Sequence, residues 1–171
     1  MDAVRAAYDL AKWGPTANNA MPLRLAIAES EDARAAVIAS AAAGNQSRLA
    51  AAPLLLVAAS DHDYHEYVHI TAPGIEGLRD RLNAAPDSRR VNAHDNTWLQ
   101  LGYLIVALRA AGLAVRPMGG FDTGAVTDAL FAGTGWNAEL LLVVGYPAED
   151  GDHAAGERKR RPEWDDVART L

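Results

Sequence analysis

The chain has 171 residues, half of them hydrophobic and 22% charged, which supplies one sizeable core and excludes a disordered chain. Sixteen Lys and Arg face 22 Asp and Glu, a formal charge of −6, so no nucleic-acid partner is expected. Without cysteine there is no disulfide, no thiolate nucleophile and no Cys-ligated metal, and any redox chemistry has to come from a cofactor.

Met1 to Leu10 mixes Asp2, Arg5 and Asp9 with alanines and lacks the apolar stretch of a signal peptide. Asp2 reads as the N-cap of a first helix that ends near Trp13, because Gly14-Pro15 removes helical preference and an amide donor. After the loop Pro15 to Pro22, the apolar run Leu23 to Ala28 predicts a strand despite Arg24. Ser30 opens a second helix with Val37, Ile38 and Ala41 on one face, and Gly44 is placed as its left-handed C-terminal cap. Pro53 precedes Leu54 to Ala59, a nearly continuous apolar run that predicts a central strand covered on both faces. From Asp61 to Arg90 the chain is polar and broken by Pro73, Gly74, Gly77 and Pro86, which predicts a mobile lid of short helical pieces.

Asp95 to Ala111 predicts a helix that Gly112 ends, and its apolar residues surround most of the circumference, as in a buried helix. A short strand is expected at Ala114 to Arg116, then the turn Pro117-Met118-Gly119-Gly120, then a helix capped by Asp122 and running to Phe131. Glu139 to Val144 is the last predicted strand; the charged tail from Glu149 carries a short amphipathic helix at Glu163 to Leu171. The longest apolar runs, Leu49 to Ala59 and Leu140 to Val144, are too short or broken to span a bilayer, so a cytoplasmic protein without a membrane partner is expected. Alternation of helices with apolar strands implies a sheet packed between helices in a single domain, residues 1–171.

Four segments bear on chemistry, each beside a plainer reading. Trp13 to Asn19 offers amides and short polar side chains to a flat polar ligand, or is an ordinary polar loop. Asn45 and Arg48 lie three residues apart just past a helix, where a cation could hold an anion, or simply decorate a helix C-terminus. The paired glycines of Pro117 to Asp122 let backbone approach a ligand near a helix start, or form a plain tight turn. His65-Glu66-Tyr67-Val68-His69 matches H-E-x-x-H, two imidazoles one turn apart with Glu66 as general base of a zinc hydrolase. Its third ligand would have to be His62, His94 or a carboxylate; otherwise His62, His65 and His69 are surface residues of the lid. Arg158-Lys159-Arg160-Arg161 reads as a solubilising tail or an anion clamp.

Taken in order, these segments resemble the nitroreductase family of FMN-dependent oxidoreductases, most of all its small branch typified by malonic semialdehyde reductase. Trp13-Gly14-Pro15-Thr16-Ala17-Asn18-Asn19-Ala20-Met21-Pro22 is similar to W-x-P-T-S-A-N-x-x-P, and Gly44-Asn45 with Arg48 to G-N-x-x-K. Asn96, Gln100 and the run to Gly112-Leu113 resemble the family's long helix, Pro117 to Asp122 resembles P-M-S-G-F-D, and Gly145-Tyr146-Pro147 resembles the closing glycine turn. The resemblance implies an α+β sandwich with a mostly antiparallel sheet, dimerised through its long helix with a flavin at each interface.

It further implies that Pro15, Thr16, Ala17 and Asn19 hold FMN from one subunit, with Asn45 and Arg48 at the pyrimidine side and Pro117 and Met118 lining the cradle. Gly119 and Gly120 would aim amides at flavin N5 and O4, and Arg158 and Arg161 would meet the phosphate. Arg48 would offset charge developing on the ring, and NAD(P)H would reduce the flavin before a small carbonyl, enal, nitro or quinone acceptor takes the hydride. Met21, Trp98, Phe121, Tyr64 and Tyr67 are expected to border the acceptor pocket. The family carries a basic arm before its first helix, where this sequence has Met1; Ala17, Arg48 and Gly119 stand where it has Ser, Lys and Ser. Losing two or three phosphate bonds of about 1.5–3 kcal/mol each implies weak FMN binding, or a flavin-free member that uses the pocket for binding or non-redox chemistry.

Overall fold

The computed structural model describes residues 1–148 and 157–171; residues 149–156, where the charged tail was expected to begin, lie outside them. Strands β1 (Leu23–Ile27), β2 (Leu54–Asp61), β3 (Ala114–Met118) and β4 (Trp136–Gly145) form an antiparallel sheet in the order β1-β2-β4-β3. The alternation of side chains along β2 explains its unbroken apolar run. Leu55, Val57 and Ala59 enter one core with Val37, Leu49, Val126 and Phe131, while Leu56 and Ala58 enter a second with Val4, Leu101, Leu104 and Leu108. The sheet is thus covered by α2 (Glu31–Ser40), α3 (Ala43–Ala50) and α7 (Thr123–Phe131) on one face, and by α1 (Asp2–Ala11) and α6 (Pro86–Ala110) on the other.

Helix starts follow local chemistry. Ser30 Oγ accepts from the Ala33 amide at 3.2 Å and Asp122 Oδ1 from the Ala125 amide at 3.0 Å, as their predicted capping requires. The first helix differs, since Met1 takes the cap position and Asp2 is already helical, where its charge favours the helix N-terminus. At the end of α6, Gly112 has φ +81° and the amides of Gly112 and Leu113 return to the Arg109 and Leu108 carbonyls, a closure that needs the left-handed region.

Three expectations are corrected. Gly44 does not cap α2: the helix stops at Ser40 because Ala41 bridges Phe121 and the Ala42 amide donates to the Gly120 carbonyl, and Gly44 lies inside α3. The stretch after β2 is not a polar lid standing off the body. A 3-10 turn (Tyr64–Tyr67), α4 (Val68–Thr71) and α5 (Leu78–Asn83) pack through Tyr64, Val68, Ala72 and Leu78 against Ala93 and Ala20. The helix expected from Asp95 begins at Pro86, whose fixed φ suits a first helical turn, and it is not buried all round. Trp98, Leu99 and Val106 are 41%, 43% and 67% exposed, and with Leu10, Gly14 and Tyr103 they line an apolar hollow of about 700 Å³. The tail helix is shorter than expected, α8 (Trp164–Val167), and no helix of the described residues is long and apolar enough to cross a membrane.

Candidate active site

The expected site residues fall into two groups. The first is the loop after α1. A side chain on Gly14 would overlap the Tyr103 ring, whose hydroxyl donates to the Pro15 carbonyl at 3.1 Å. Two carboxamides on one face of α6 fix the rest. The Ala17 amide donates to Asn96 Oδ1 at 2.7 Å, the Leu23 amide donates to Gln100 Oε1 at 2.9 Å, and Gln100 Nε2 lies 3.6 Å from Met21 Sδ. Asn19 Nδ2 donates to the Thr71 carbonyl at 2.5 Å. Asn18, Asn19 and Met21 have φ of 53°, 51° and 52°, which asparagine tolerates and methionine adopts only under restraint.

That restraint is Arg24, which donates from Nη1 to the Met21 and Leu23 carbonyls at 2.9 and 3.0 Å. Its Nη2 pairs with the buried Asp61 carboxylate at 2.6 Å, and its guanidinium lies 5.2 Å from the Tyr67 ring centroid. The only trace of this clamp in the sequence is an arginine inside an apolar strand. In the sequence Asn96 and Gln100 stand out only through the family resemblance; their i, i+4 spacing on a helix is what lets both reach one loop.

The second group lies where the segment between α2 and α3 meets the turn after β3. The Ala42 amide donates to the Gly120 carbonyl and the Asp122 amide to the Ser40 carbonyl, each at 2.9 Å, which brings Asn45 Nδ2 to 3.5 Å from the Gly120 oxygen. A Cβ on Gly120 would stand 3.1 Å from Asn45 Nδ2, so glycine there leaves room for the carboxamide, whereas a side chain at Gly119 would meet open space. Neither the Gly119 nor the Gly120 amide has a hydrogen-bond partner among the described residues. Arg48, one turn beyond Asn45, donates from Nη1 to the Gly44 carbonyl at 2.7 Å and lines a groove of about 400 Å³ with Pro53, Met118 and Val143. Pro117 pairs with Leu142 in the sheet. Two free amides, a carboxamide and a guanidinium over an apolar floor fit a flat ring edged with acceptors, as an isoalloxazine is. No hydrogen bond joins this group to the first among the described residues.

The remaining candidates scatter. Trp98 faces the apolar hollow and donates from Nε1 to Glu139 at 3.3 Å. Phe121 is partly buried against the core, and Tyr67 is exposed. Tyr64, expected at a pocket border, is 1% exposed with its hydroxyl on Asn92 Oδ1 at 2.9 Å, and burial raises its pKa. Its i, i+4 relation to Val68 makes it a core residue rather than a lining one. Arg158 and Arg161 are exposed, and Arg161 Nη1 donates to the Lys159 and Arg160 carbonyls of its own tail.

The zinc alternative is corrected as well. His65 is buried, not a surface residue, with Nε2 3.0 Å from Arg89 Nη1, so a guanidinium stands where a metal would bind. Glu66 is engaged by both arms of Arg79 at 2.8–2.9 Å, a contact that lowers its pKa, and His69 Nδ1 lies 2.8 Å from the Glu66 carbonyl. No group of three His, Asp or Glu among the described residues could hold a metal ion.

The sequence profile described as "Nitroreductase family" matches residues 1–146. A Leptothrix cholodnii protein, provisionally named NADH dehydrogenase/NAD(P)H nitroreductase, is 38% identical over 164 residues, 96% of this chain and 81% of its own. Among solved structures, a nitroreductase family protein from Streptococcus pneumoniae TIGR4 superposes with a TM-score of 0.77 at 21% identity, covering 99% of this chain and 89% of that one. A provisionally named nitroreductase in complex with FMN from Exiguobacterium sibiricum 255-15 gives 0.75 at 18% identity, covering 100% of this chain and 87% of that one.

Proposed function

This chain belongs to the nitroreductase family, and from that premise we propose that it is an FMN-dependent NAD(P)H oxidoreductase that works as a homodimer. The observation that carries the reading is the meeting of Asn45 with Gly120, beside two glycine amides without partners and a groove entered by Arg48. The Exiguobacterium relative's complex with FMN supports the choice of cofactor. Held there, FMN would supply two-electron (hydride) chemistry between NAD(P)H and a small carbonyl, enal, nitro or quinone acceptor.

The chain's own residues bind and orient. The Gly119 and Gly120 amides would be the donors to acceptors on the ring edge, and Asn45 would offer both a donor and an acceptor to an imide-like edge. Arg48 would supply the cation at this site, favouring added negative charge on a bound ring over the neutral form. No side chain is needed as a nucleophile. The 13–22 loop, rigid through Asn96, Gln100 and Arg24, presents Pro15, Thr16, Ala17 and Asn19 as a preformed wall.

Gly14, at the start of that loop, also lines the apolar hollow of α1 and α6. A second copy of the chain covers this face and sets its loop against the first copy's Asn45 and Gly120, completing the site from both sides. The test is NADH and NADPH consumption by the purified protein, with and without FMN, using a quinone or a nitroarene as acceptor. Turnover that requires both FMN and acceptor is expected; no turnover together with no FMN uptake contradicts the reading.

A further inference from the structure

Strands β2 and β4 pair Ala58 with Leu140 and Ala59 with Ala138, so Glu139 has no partner across the ladder and is the extra residue of a β-bulge. The insertion turns its side chain to the face of Leu140, the face that α6 covers. There the carboxylate takes three donors. Ser60, the next position after Ala58 on the same face of β2, donates from Oγ to Oε1 at 2.7 Å. His94 Nδ1 lies 2.9 Å and Trp98 Nε1 3.3 Å from Oε2. His94 and Trp98 are an i, i+4 pair on α6 with ring centroids 6.1 Å apart. The Glu139 side chain is only 13% exposed. A carboxylate drawn that far from water is no more stabilising than a well-packed apolar residue, so packing alone gives no reason for a glutamate here.

Trp98 and Tyr103 are the aromatic side chains that line the hollow of α1 and α6. Each is tied inward by its polar tip, Trp98 to Glu139 in the sheet and Tyr103 to the Pro15 carbonyl in the loop, and each turns its apolar body to the hollow. Rings fixed before contact lose little rotamer freedom on burial, which makes them strong anchors of an interface. Among the described residues none that lines the hollow carries a charge, so it can meet its own image across a two-fold axis without like-charge repulsion.

We propose that Glu139 is a positioning residue for the active site: by holding the Trp98 indole from beneath α6 it sets the anchor on which a second copy seats, and so governs FMN affinity from outside the Asn45 and Gly120 cluster. The proposal rests on the homodimer reading above. Its signature is a dependence on protein concentration, because half of each site arrives with the partner.

Wild type, E139M, W98F and the double variant are compared by sedimentation, and by FMN titration at low and high protein concentration. E139M and W98F are each expected to weaken the dimer about tenfold or more, and E139M is expected to add nothing in the W98F background, since both remove the same contact. FMN affinity is expected to fall with the dimer at low protein concentration and to recover at high concentration, which a general loss of packing would not do. E139Q keeps an oxygen for the indole and is expected to restore the dimer. If E139M does not fold, E139D, whose shorter side chain draws the carboxylate back from Trp98, takes its place in the cycle. A dimer that E139M leaves unchanged, or weakens equally with and without the Trp98 indole, overturns the proposal while the homodimer reading stands. FMN affinity that stays low at high protein concentration overturns it too. A wild type that is monomeric throughout overturns the homodimer reading and the proposal together. If the wild type dimerises without taking up FMN, the flavin reading fails, and the sedimentation cycle alone decides whether Glu139 sets the anchor.

Discussion

The loop from Trp13 to Pro22 and the cluster around Asn45 and Gly120 are built by opposite means. The loop is held at Pro15, Ala17, Asn19 and Met21 by Tyr103, Asn96, Thr71 and Arg24, with Gln100 fixing its exit at Leu23, and it carries positive φ at Met21, which only such restraint sustains. The cluster holds one long side-chain contact, from Asn45 to Gly120, leaves two amides without partners among the described residues, and ties the Arg48 guanidinium only to the Gly44 carbonyl. Damage to the loop therefore registers first as lost stability, and damage to the cluster first as lost ligand affinity, because its donors await a partner from outside the chain.

The largest effect is expected at Arg24. Replacing it with Met strands the buried Asp61 carboxylate and frees the Met21 carbonyl, at a cost of about 3–5 kcal/mol in a denaturant or thermal melt. An unchanged melting temperature would mean that the clamp does not hold the loop. Next comes Asn96→Ala, which leaves the Ala17 amide without its partner; a loss of about 1–3 kcal/mol is expected, with a matching decline in flavin affinity as the wall loosens.

The other half gives a matched pair of variants. Gly120→Ala pushes on Asn45 Nδ2 and is expected to weaken FMN binding roughly tenfold with stability held within about 1 kcal/mol; Gly119→Ser enters open space and changes neither. Equal effects of the two substitutions would break the assignment of the cradle to Asn45 and Gly120.

The smallest effect lies outside both halves, at His62, between Ser60 Oγ at 3.3 Å and Asn137 Nδ2 at 3.0 Å. Burial lowers its pKa below the ordinary 6.5, partly opposed by Glu139. As pH falls below 6.5, the unfolded chain takes up this proton before the folded one, so stability is full above that value and declines below it. The His62→Gln variant is expected to flatten that decline in melts from neutral to mildly acidic pH, without altering FMN affinity.

What the sequence made legible divides along the same physical line. β2 was readable because both its faces are buried, and the starts of α2 and α7 because Ser30 and Asp122 cap them with their own side chains. The end of α2 was not, since a bridge from Ala41 to Phe121, far along the chain, stops it rather than any local breaker. Tyr64, Val68 and Ala72 form a stripe too short to stand out from polar neighbours, so the sequence suggests a lid where the structure has a packed layer. The apolar circumference of α6 suggests a buried helix, although part of it faces out. In the candidate site, the residue types at the cradle were legible as a motif series, but Glu139 meets His94 and Trp98 only through a bulge and tertiary folding, and no spacing in the sequence joins them.

The most direct test of the central claim is a titration of FMN into the purified chain stripped of bound nucleotide, followed by visible circular dichroism and by sedimentation. The account predicts that the ring acquires a protein-induced signal saturating at one FMN per chain in a species of twice the chain mass. A signal that never departs from free FMN, across the full concentration range and with a folded protein, contradicts it.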